Sequence, residues 1–231
     1  LTETSRKLLD GAQAIFGGPR HLALVGAGDR GHEWPIPFSI EPVLALRGQK
    51  VVILASGDPF WFGAGSVIAR NFEAAEWTAR PGQSTFSLAA ARLGWPLEGT
   101  QTFGLHAAPL TRLRPHLSPG LRAIILLRNG AAVAELATYL TETGFADTQL
   151  HVMEALGGPR ERARSVSLTE ALLGTFDHPV CVGLEVAGEG RVFPKASGKP
   201  DDIFETDGQI TKRPIRALTL SALAPQRGGH L

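Results

Sequence analysis

Apolar residues recur along the chain in two patterns, one typical of buried strands and one typical of helices. Short continuous apolar runs predict strands at residues 21–25, 51–55, 123–127, 150–153 and 180–184. Apolar residues three or four positions apart predict helices at residues 4–16, 63–72, 84–93, 131–143, 169–173 and 212–223. Strands and helices therefore alternate, which favours an α/β fold with a largely parallel sheet.

The alternation runs through two consecutive series, so we predict two α/β lobes joined near residues 103–109. Their predicted bounds are 1–107 and 108–193. From residue 194 the composition turns polar and rich in Pro and Gly, as in a linker, before a last helical stretch. We therefore assign residues 194–231 to a linker and to the start of a truncated further domain.

The composition excludes several classes of protein. With 43% hydrophobic and 19% charged residues, the chain of 231 residues has ordinary globular composition. A net charge of +1 argues against a nucleic-acid partner. The apolar runs are too short to span a bilayer, and no signal sequence is visible, so we predict no membrane association and a cytoplasmic location.

The cysteine and histidine content gives no metal site. The single cysteine, Cys181, lies in an apolar run and is interpreted as a small core residue. It leaves no partner for an internal disulfide and no set of thiolate ligands. The seven histidines are scattered, without the close spacing that metal ligands show.

The first glycine-rich motif spells Gly-x-Gly-x-x-Gly at residues 26–31, directly after an apolar run. Such a motif binds a dinucleotide only when a helix follows it and presents N–H groups to the pyrophosphate. Pro35 and Pro37 stand where that helix would continue. We therefore favour a simple turn and keep a nicotinamide-dependent dehydrogenase as a third functional hypothesis.

A second motif, Ser56-Gly57-Asp58-Pro59, follows the predicted buried strand at residues 51–55. The carboxyl ends of such strands are where open α/β sheets bind ligands. Gly57 allows a ligand to approach the backbone closely, and Asp58 offers a negative charge to a cationic cofactor. The alternative is that Asp58 and Pro59 only cap a turn into the next helix.

A third motif, residues 80–87, places Ser84 and Thr85 after another Gly-containing turn and at the start of a predicted helix. Their hydroxyl groups can cap that helix, hydrogen-bond a ligand, or do both. The occurrence of this loop together with the Ser-Gly-Asp-Pro loop is what favours a shared binding site.

These two loops resemble those of the tetrapyrrole (corrin/porphyrin) methylases. Residues 84–96 and 156–162 are similar, within that family, to the subfamily that methylates precorrin-6Y. The resemblance covers roughly residues 1–193. Residues 200–213 resemble instead the opening of a separate decarboxylating methyltransferase domain, which such proteins carry in the same natural chain.

The resemblance implies a two-lobed tetrapyrrole methylase fold, in which each lobe has a mostly parallel or mixed sheet flanked by helices and S-adenosyl-L-methionine binds in the cleft between the lobes. It implies a C-methyltransferase that acts on a precorrin of the precorrin-6 type, at ring meso carbon 5, in cobalamin biosynthesis, and a homo-oligomer. The alternative function is a catalytically silent domain that binds the cofactor or organises its partner domain.

The resemblance also implies roles for individual residues. Ser56, Gly57, Asp58 and Pro59 would lie beside the methionine part of the cofactor, with Ser84 and Thr85 near it. Backbone groups at Leu127 and Leu156 would lie beside the adenine. No residue is identified as the catalytic base, and a transfer that depends mainly on positioning requires no catalytic triad and no metal.

The substrate of this family carries several carboxylates, which arginine binds well through paired hydrogen bonds. The candidates are Arg160, Arg162 and Arg164, followed by Arg112 and then Arg114. The alternative is that these arginines are solvated surface residues.

The family pattern creates two expectations about the ends of the sequence. Its first strand, which ends in a Gly-rich turn, would precede Leu1 and supply a central strand of the sheet. The decarboxylating domain would continue past Leu231.

Overall fold

The computed structural model describes residues 1–226 and 228. The chain divides into two compact units, Leu1–Leu97 and Glu98–Leu231. One unit contains a parallel sheet and the other a mixed sheet, each with accompanying helices. The α/β class predicted from the sequence is therefore confirmed. Within the described residues, no helix combines the length and the apolar character needed to cross a membrane.

The first unit is built on a three-stranded parallel sheet with strand order β2–β1–β3. Its strands are β1 (Ala14–Gly17), β2 (Gly31–Glu33) and β3 (Val51–Ile53). Its helices are α1 (Glu3–Asp10), α2 (Pro19–Val25), α3 (Glu41–Leu44), α4 (Gly65–Asn71) and α5 (Thr85–Leu93).

The second unit is built on a five-stranded mixed sheet with strand order β4–β5–β8–β6–β7. Its strands are β4 (Gln101–Gly104), β5 (Arg122–Leu126), β6 (Gln149–Glu154), β7 (Arg162–Val166) and β8 (Val180–Glu185). Among the strands that the structure describes in this unit, β4 and β5 pair in parallel, and the other three pairings are antiparallel. Its helices are α6 (Ala131–Glu142), α7 (Leu168–Leu173) and α8 (Arg213–Leu223).

Each unit has a hydrophobic core of its own. In the second unit Ile125, Val152 and Leu184 on the sheet pack with Leu136 and Leu140 of α6, all of them fully buried. In the first unit the side chains of β1 alternate between two smaller clusters, as successive side chains of a strand must. Cys181 is buried in β8, and this burial raises the pKa of its thiol to about 12, so its interpretation as a core residue is confirmed.

Two predicted elements of the first unit were wrong. The helix predicted over residues 4–16 ends at Asp10, and Ala14–Gly17 form the central strand β1, buried at all four positions. The strand predicted at residues 21–25 is the helix α2. Pro19 begins that helix with a φ that suits a first turn, and Gly26 ends it in the left-handed conformation at φ 60°.

The motif at residues 26–31 forms a turn, as the sequence indicated. Gly26 ends α2, residues Gly28–Arg30 form a single 3₁₀ turn, and Gly31 begins β2. The helix that a dinucleotide fingerprint requires is therefore replaced by a strand. The dehydrogenase hypothesis loses its structural basis.

The predicted domain boundaries after residues 107 and 193 stay predictions. β4 precedes residue 107 but pairs along its whole length with β5, inside the second unit. The expected strand before Leu1 also stays a prediction. The expectation about the sequence beyond Leu231 lies outside the described residues.

An open sheet edge and a cavity occur together in the first unit. β3 pairs with β1 on one side, and it is an edge strand of the sheet on the other. A cavity of about 600 Å³ is lined by all of β3 together with residues such as Leu8, Ile68 and Trp77. The indole N–H of Trp77 is buried and has no hydrogen-bond partner within the described part of the chain.

Candidate functional site

The structure brings the two loops of the first unit together through Gly57. This residue has a φ of 61°, and a Cβ atom built on it would lie 2.7 Å from Ser84 Cα and 2.8 Å from the Gln83 carbonyl oxygen. The Gly82 N–H donates a 3.0 Å hydrogen bond to the Gly57 carbonyl oxygen. The loops therefore meet backbone to backbone, with no room for a side chain at position 57.

The next two residues of the loop shape the turn into α4. Asp58 Oδ1 accepts a 2.8 Å hydrogen bond from the Phe60 N–H, so the capping role considered for Asp58 is present. The Gly65 N–H donates to the Pro59 carbonyl oxygen, and a Cβ atom at Gly63 or Gly65 would lie 2.6 Å from that oxygen. These two glycines are thus required by packing against Pro59.

Ser84 and Thr85 begin α5, next to Gly57. Ser84 is the N-cap of the helix: its Oγ accepts a 3.1 Å hydrogen bond from the Ser87 N–H, and the side chain is buried. Thr85, the first helical residue, is half-buried. Ser84 therefore has a structural role, while a cofactor role for either residue stays a prediction.

A polar cluster that the sequence analysis missed lies at Ser56, the first residue of the loop. His21 Nε2 is 2.7 Å from Ser56 Oγ, and Arg20 Nη2 is 3.4 Å from each of those two atoms. Burial lowers the pKa of His21 below 6.5, and the charge of Arg20 lowers it further. The imidazole is therefore neutral near pH 7.

The sequence contained one signal for this cluster. Gly17-Gly18-Pro19 follows a continuous apolar run and so marks the end of a buried strand, directly before Arg20 and His21. Because β1 and β3 are parallel neighbours, the residues that follow them lie at the same end of the sheet, beside the carboxyl ends of both strands.

In the second unit, Leu127 and Leu156 lie close to the start of β8, on either side of it. The strands that they follow, β5 and β6, are both antiparallel to β8 and so run in the same direction. The Leu127 N–H donates to the Val180 carbonyl oxygen at 3.4 Å, and the Ala155 N–H to that of Pro179 at 2.8 Å. The two backbone positions proposed for adenine thus lie at the same end of the sheet, where β5 and β6 end and β8 begins.

Two of the candidate arginines bind a buried carboxylate of their own unit. Arg162 donates to both oxygens of Glu154, at 2.9 and 3.0 Å, and Arg164 donates to one at 3.1 Å. The Asp177 N–H adds a 2.6 Å hydrogen bond to the same carboxylate. Burial raises the pKa of Glu154, but these hydrogen bonds and positive charges outweigh it, so the pKa is lowered overall.

The remaining candidate arginines differ in their surroundings. Arg160 and Arg112 are exposed, and within the described ranges neither side chain forms a hydrogen bond or an ion pair. The Arg114 guanidinium lies over the Phe193 ring, 3.8 Å from its centroid, with a buried Nη1 that has no partner in the described structure. Arg160 and Arg112 are thus the candidates whose guanidinium groups remain unpaired.

Comparison with known proteins identifies the family. Residues 1–172 match the Tetrapyrrole (Corrin/Porphyrin) Methylases, and residues 202–231 match a Precorrin methyltransferase domain. The first match covers most of the chain, so the chain belongs to the tetrapyrrole methylases. The family inferred from the loops is confirmed.

Individual relatives agree with this assignment. A Sinorhizobium protein named precorrin-6Y C(5,15)-methyltransferase (decarboxylating) is 44% identical over 235 residues, which cover 99% of this chain and 57% of the relative. The chain spans 57–59% of the length of the curated relatives that it matches along nearly all of its own length.

Solved structures share the fold. A cobalamin biosynthesis precorrin-6Y methylase from Archaeoglobus fulgidus has a TM-score of 0.57 at 23% identity, over 81% of this chain and 91% of that one. A Thermus thermophilus uroporphyrin-III C-methyltransferase, complexed with S-adenosylhomocysteine, has a TM-score of 0.59 at 20% identity, over 80% and 85% of the two chains.

Proposed function

We propose that this chain is the methyl-transferring part of an S-adenosyl-L-methionine-dependent C-methyltransferase. Its substrate is a precorrin of the precorrin-6 type, methylated at ring meso carbon 5 in cobalamin biosynthesis. The observation that carries the cofactor assignment is the backbone contact between Gly57 and the start of α5, which joins the two loops into one surface. The substrate class is supported by the name of the relative that is 44% identical.

The chemistry of the loop residues fits the cofactor. Ser56 and Gly57 are proposed to offer a hydroxyl group and backbone groups to the methionine part, together with Asp58, Pro59, Ser84 and Thr85. Asp58 has one carboxylate oxygen engaged with the Phe60 N–H, which leaves the other to attract a cation. That attraction has to stay moderate, because the positive charge of the sulfonium disappears in the transition state. Leu127 and Leu156 would hold the adenine through their backbone groups.

Four arginines are proposed to bind the carboxylates of the substrate. Arg160 and Arg112 can do so with complete guanidinium groups. Arg162 and Arg164 are oriented by Glu154 and would contribute only the N–H groups that this carboxylate leaves unused. A guanidinium group that is already held in place by a carboxylate loses less conformational entropy when a ligand binds.

The role of the protein in catalysis is chiefly to position the reactants. When bound, S-adenosyl-L-methionine supplies the methyl group, and the electron-rich macrocycle accepts it. Holding donor and acceptor in line contributes about 7 kcal/mol or more to lowering such a barrier. The decarboxylating domain is proposed as a partner in the same natural chain. Homo-oligomeric assembly and a cytoplasmic location stay predictions from the sequence.

The experiment uses the whole natural protein. Titration calorimetry with S-adenosylhomocysteine tests the cofactor, with Gly57→Ala as the comparison that separates binding at these loops from binding at the decarboxylating methyltransferase domain. Transfer of an isotope-labelled methyl group to a precorrin-6-type substrate, located by NMR of the product, tests the reaction. We expect both to succeed. Binding without transfer would instead favour the catalytically silent domain, and absence of binding would remove the cofactor assignment.

A further inference from the structure

Ser56, in the proposed cofactor loop, contacts two side chains from another part of the first unit. Its exposed side chain is 2.7 Å from Nε2 of the half-buried His21, and Arg20 Nη2 is 3.4 Å from both atoms. Arg20 and His21 lie in the first turn of α2, which follows β1, and Ser56 lies in the loop that follows the neighbouring parallel strand β3. Neither the family match nor the names of the relatives assign a role to Arg20 or His21.

The donor and acceptor roles within this cluster follow from arginine. Arg20 Nη2 donates a 3.4 Å hydrogen bond to Ser56 Oγ and also faces His21 Nε2 at 3.4 Å. A guanidinium can only donate hydrogen bonds, so a hydrogen on Nε2 would be repelled by it, and we therefore assign the imidazole proton to Nδ1. Ser56 Oγ is closer to the same Nε2 and must therefore donate its proton to it. The hydroxyl hydrogen thus points at His21, one oxygen lone pair accepts from Arg20, and the other remains for a ligand.

We propose that His21 is a positioning residue of the cofactor site: its neutral imidazole fixes the Ser56 hydroxyl as an acceptor for the α-ammonium group of the methionine part of S-adenosyl-L-methionine. The inference rests on the proposed function, since it takes this cofactor as the ligand. The Ser56 oxygen would select its ligand by charge and by hydrogen-bonding role. An oxygen that offers only lone pairs binds a cationic donor and disfavours an anionic acceptor.

Protonation of His21 would reverse this arrangement. Its Nε2 would then donate to Ser56, the serine hydrogen would turn outward, and a second positive charge would stand beside the ammonium group. The charged group next to the ring is Arg20, on α2. On the loop after β3, Asp58 directs Oδ1 to the Phe60 N–H, and no carboxylate of the described residues forms an ion pair with His21. Because the pKa of His21 is lowered, the reversal occurs only below pH 6.5.

The test is calorimetric titration of the whole natural protein with S-adenosylhomocysteine, which retains the α-ammonium group, between about pH 5 and pH 8. We expect the affinity to be constant near neutrality and to fall by up to about tenfold per pH unit below the pKa of His21. His21→Gln keeps an acceptor for Ser56 but cannot titrate, so it should bind as the wild type does at neutral pH and lose the acid fall. His21→Ala should bind about tenfold more weakly at neutral pH.

Two controls separate positioning from a general structural effect. 5′-Methylthioadenosine lacks the amino-acid part, so its affinity should depend neither on His21 nor on its protonation. In a double-mutant cycle, His21→Ala should add almost nothing to the effect of Ser56→Ala, because both remove the same hydrogen bond to the cofactor. Circular dichroism at each pH establishes that the variants are folded.

The outcomes distinguish this inference from the proposed function. Binding of S-adenosylhomocysteine with an acid fall that persists in His21→Gln, or with additive effects in the cycle, would refute the role of His21 and leave the cofactor assignment intact. Absence of binding in the wild-type protein would refute both.

Discussion

Gly57 and Gly26 have almost the same backbone conformation, with φ values of 61° and 60°, but different surroundings. A Cβ atom at Gly57 would lie 2.7 Å from Ser84 Cα, whereas one at Gly26 would have no atom within 4 Å. Comparing alanine substitutions at these two glycines therefore separates the strain of a left-handed backbone from the cost of a steric collision. Only the collision should affect the loop that is proposed to hold the cofactor.

We expect Gly26→Ala to lower the free energy of unfolding by about 1 kcal/mol, from backbone strain alone. Gly57→Ala should lower it by about 2 kcal/mol or more, because the two loops must also move apart. Urea unfolding measures both values. Calorimetry should show at least a tenfold loss of S-adenosylhomocysteine affinity for Gly57→Ala only. Equal effects of the two substitutions would contradict the contact between the loops.

Glu154 is the buried carboxylate of the second unit, with 2% of its side chain exposed. Its pKa lies below the ordinary 4.5, because hydrogen bonds from Arg162 and the Asp177 N–H, and the charges of Arg162 and Arg164, outweigh the opposing effect of burial. A carboxyl group with a lowered pKa stabilises the fold above pH 4.5. This contribution is lost as the pH falls through the lowered pKa.

Glu154→Gln should therefore lower the free energy of unfolding by about 2 kcal/mol at pH 7, below the full value for a buried pair because the two arginines remain partly solvated. The difference from wild type should shrink as the pH is lowered below 4.5. Urea unfolding at pH 7 and at pH 4 measures it. Glu142→Gln is the control, since Glu142 is an exposed carboxylate of the same unit that forms no hydrogen bond or ion pair within the described residues. A pH-independent difference for Glu154→Gln would contradict the assignment.

The role of a single residue could be predicted from the sequence where that role depends on neighbouring residues of the chain. Gly57, Asp58 and Ser84 each sit in a turn whose chemistry is visible in neighbouring letters, and the structure gives each of them a local role. The contact of His21 could not be predicted from the sequence, because its partner Ser56 is 35 positions away. Only the parallel pairing of β1 and β3 brings the two residues together.

Helix capping provides a test of whether Ser84 does more than cap. Ser84 at α5 and Ser167 at α7 are both N-caps whose hydroxyl oxygen accepts from an N–H three residues on, at 3.1 and 3.2 Å. Replacing either by alanine should lower the free energy of unfolding by about 1 kcal/mol. Thermal unfolding measures this cost.

The two substitutions should differ in cofactor affinity. We expect Ser84→Ala to weaken the binding of S-adenosylhomocysteine, because the start of α5 lies against Gly57, and we expect Ser167→Ala to leave it unchanged. If calorimetry gives the same affinity for both variants, Ser84 is a cap alone and has no part in the cofactor site.

Helices and strands were predictable where their length or caps were distinctive. α6 has 12 residues with regular apolar spacing and was predicted almost to its ends. α2 was mistaken for a strand because its apolar residues are nearly continuous, and a short continuous run does not distinguish a helix from a strand. β7 was missed because it is an edge strand with polar side chains, which resembles a loop in sequence.

The α/β class followed from the alternation of elements, but the arrangement of the strands did not. In the second unit β8, the last strand in the sequence, lies between β5 and β6. No local pattern encodes this insertion, because it depends on pairing between residues as far apart as Arg122 and Glu185. The resemblance to a known family was needed to reach beyond the fold class.

Among the described residues the edge of β3 is open, which has a consequence for the behaviour of this 231-residue chain at high concentration. The Leu54 N–H donates to the Phe16 carbonyl oxygen at 2.8 Å, so the amide of Ile53, one residue earlier, faces the open edge. That edge borders an apolar cavity of about 600 Å³. An unpaired apolar edge is a template for a foreign strand, and hence an aggregation hazard.

This 231-residue chain, taken alone, should therefore self-associate as its concentration rises from about 1 μM to about 100 μM, which light scattering would detect. Hydrogen exchange by NMR gives the location: in dilute solution the Ile53 amide should exchange much faster than that of Leu54, and it should gain protection as the assemblies form. If the Ile53 amide is already protected in the dilute monomer, another group covers the edge. If it stays fast while scattering increases, the association occurs elsewhere. If the association does occur through this edge, storage of this chain calls for low concentration or for an added peptide that completes the sheet.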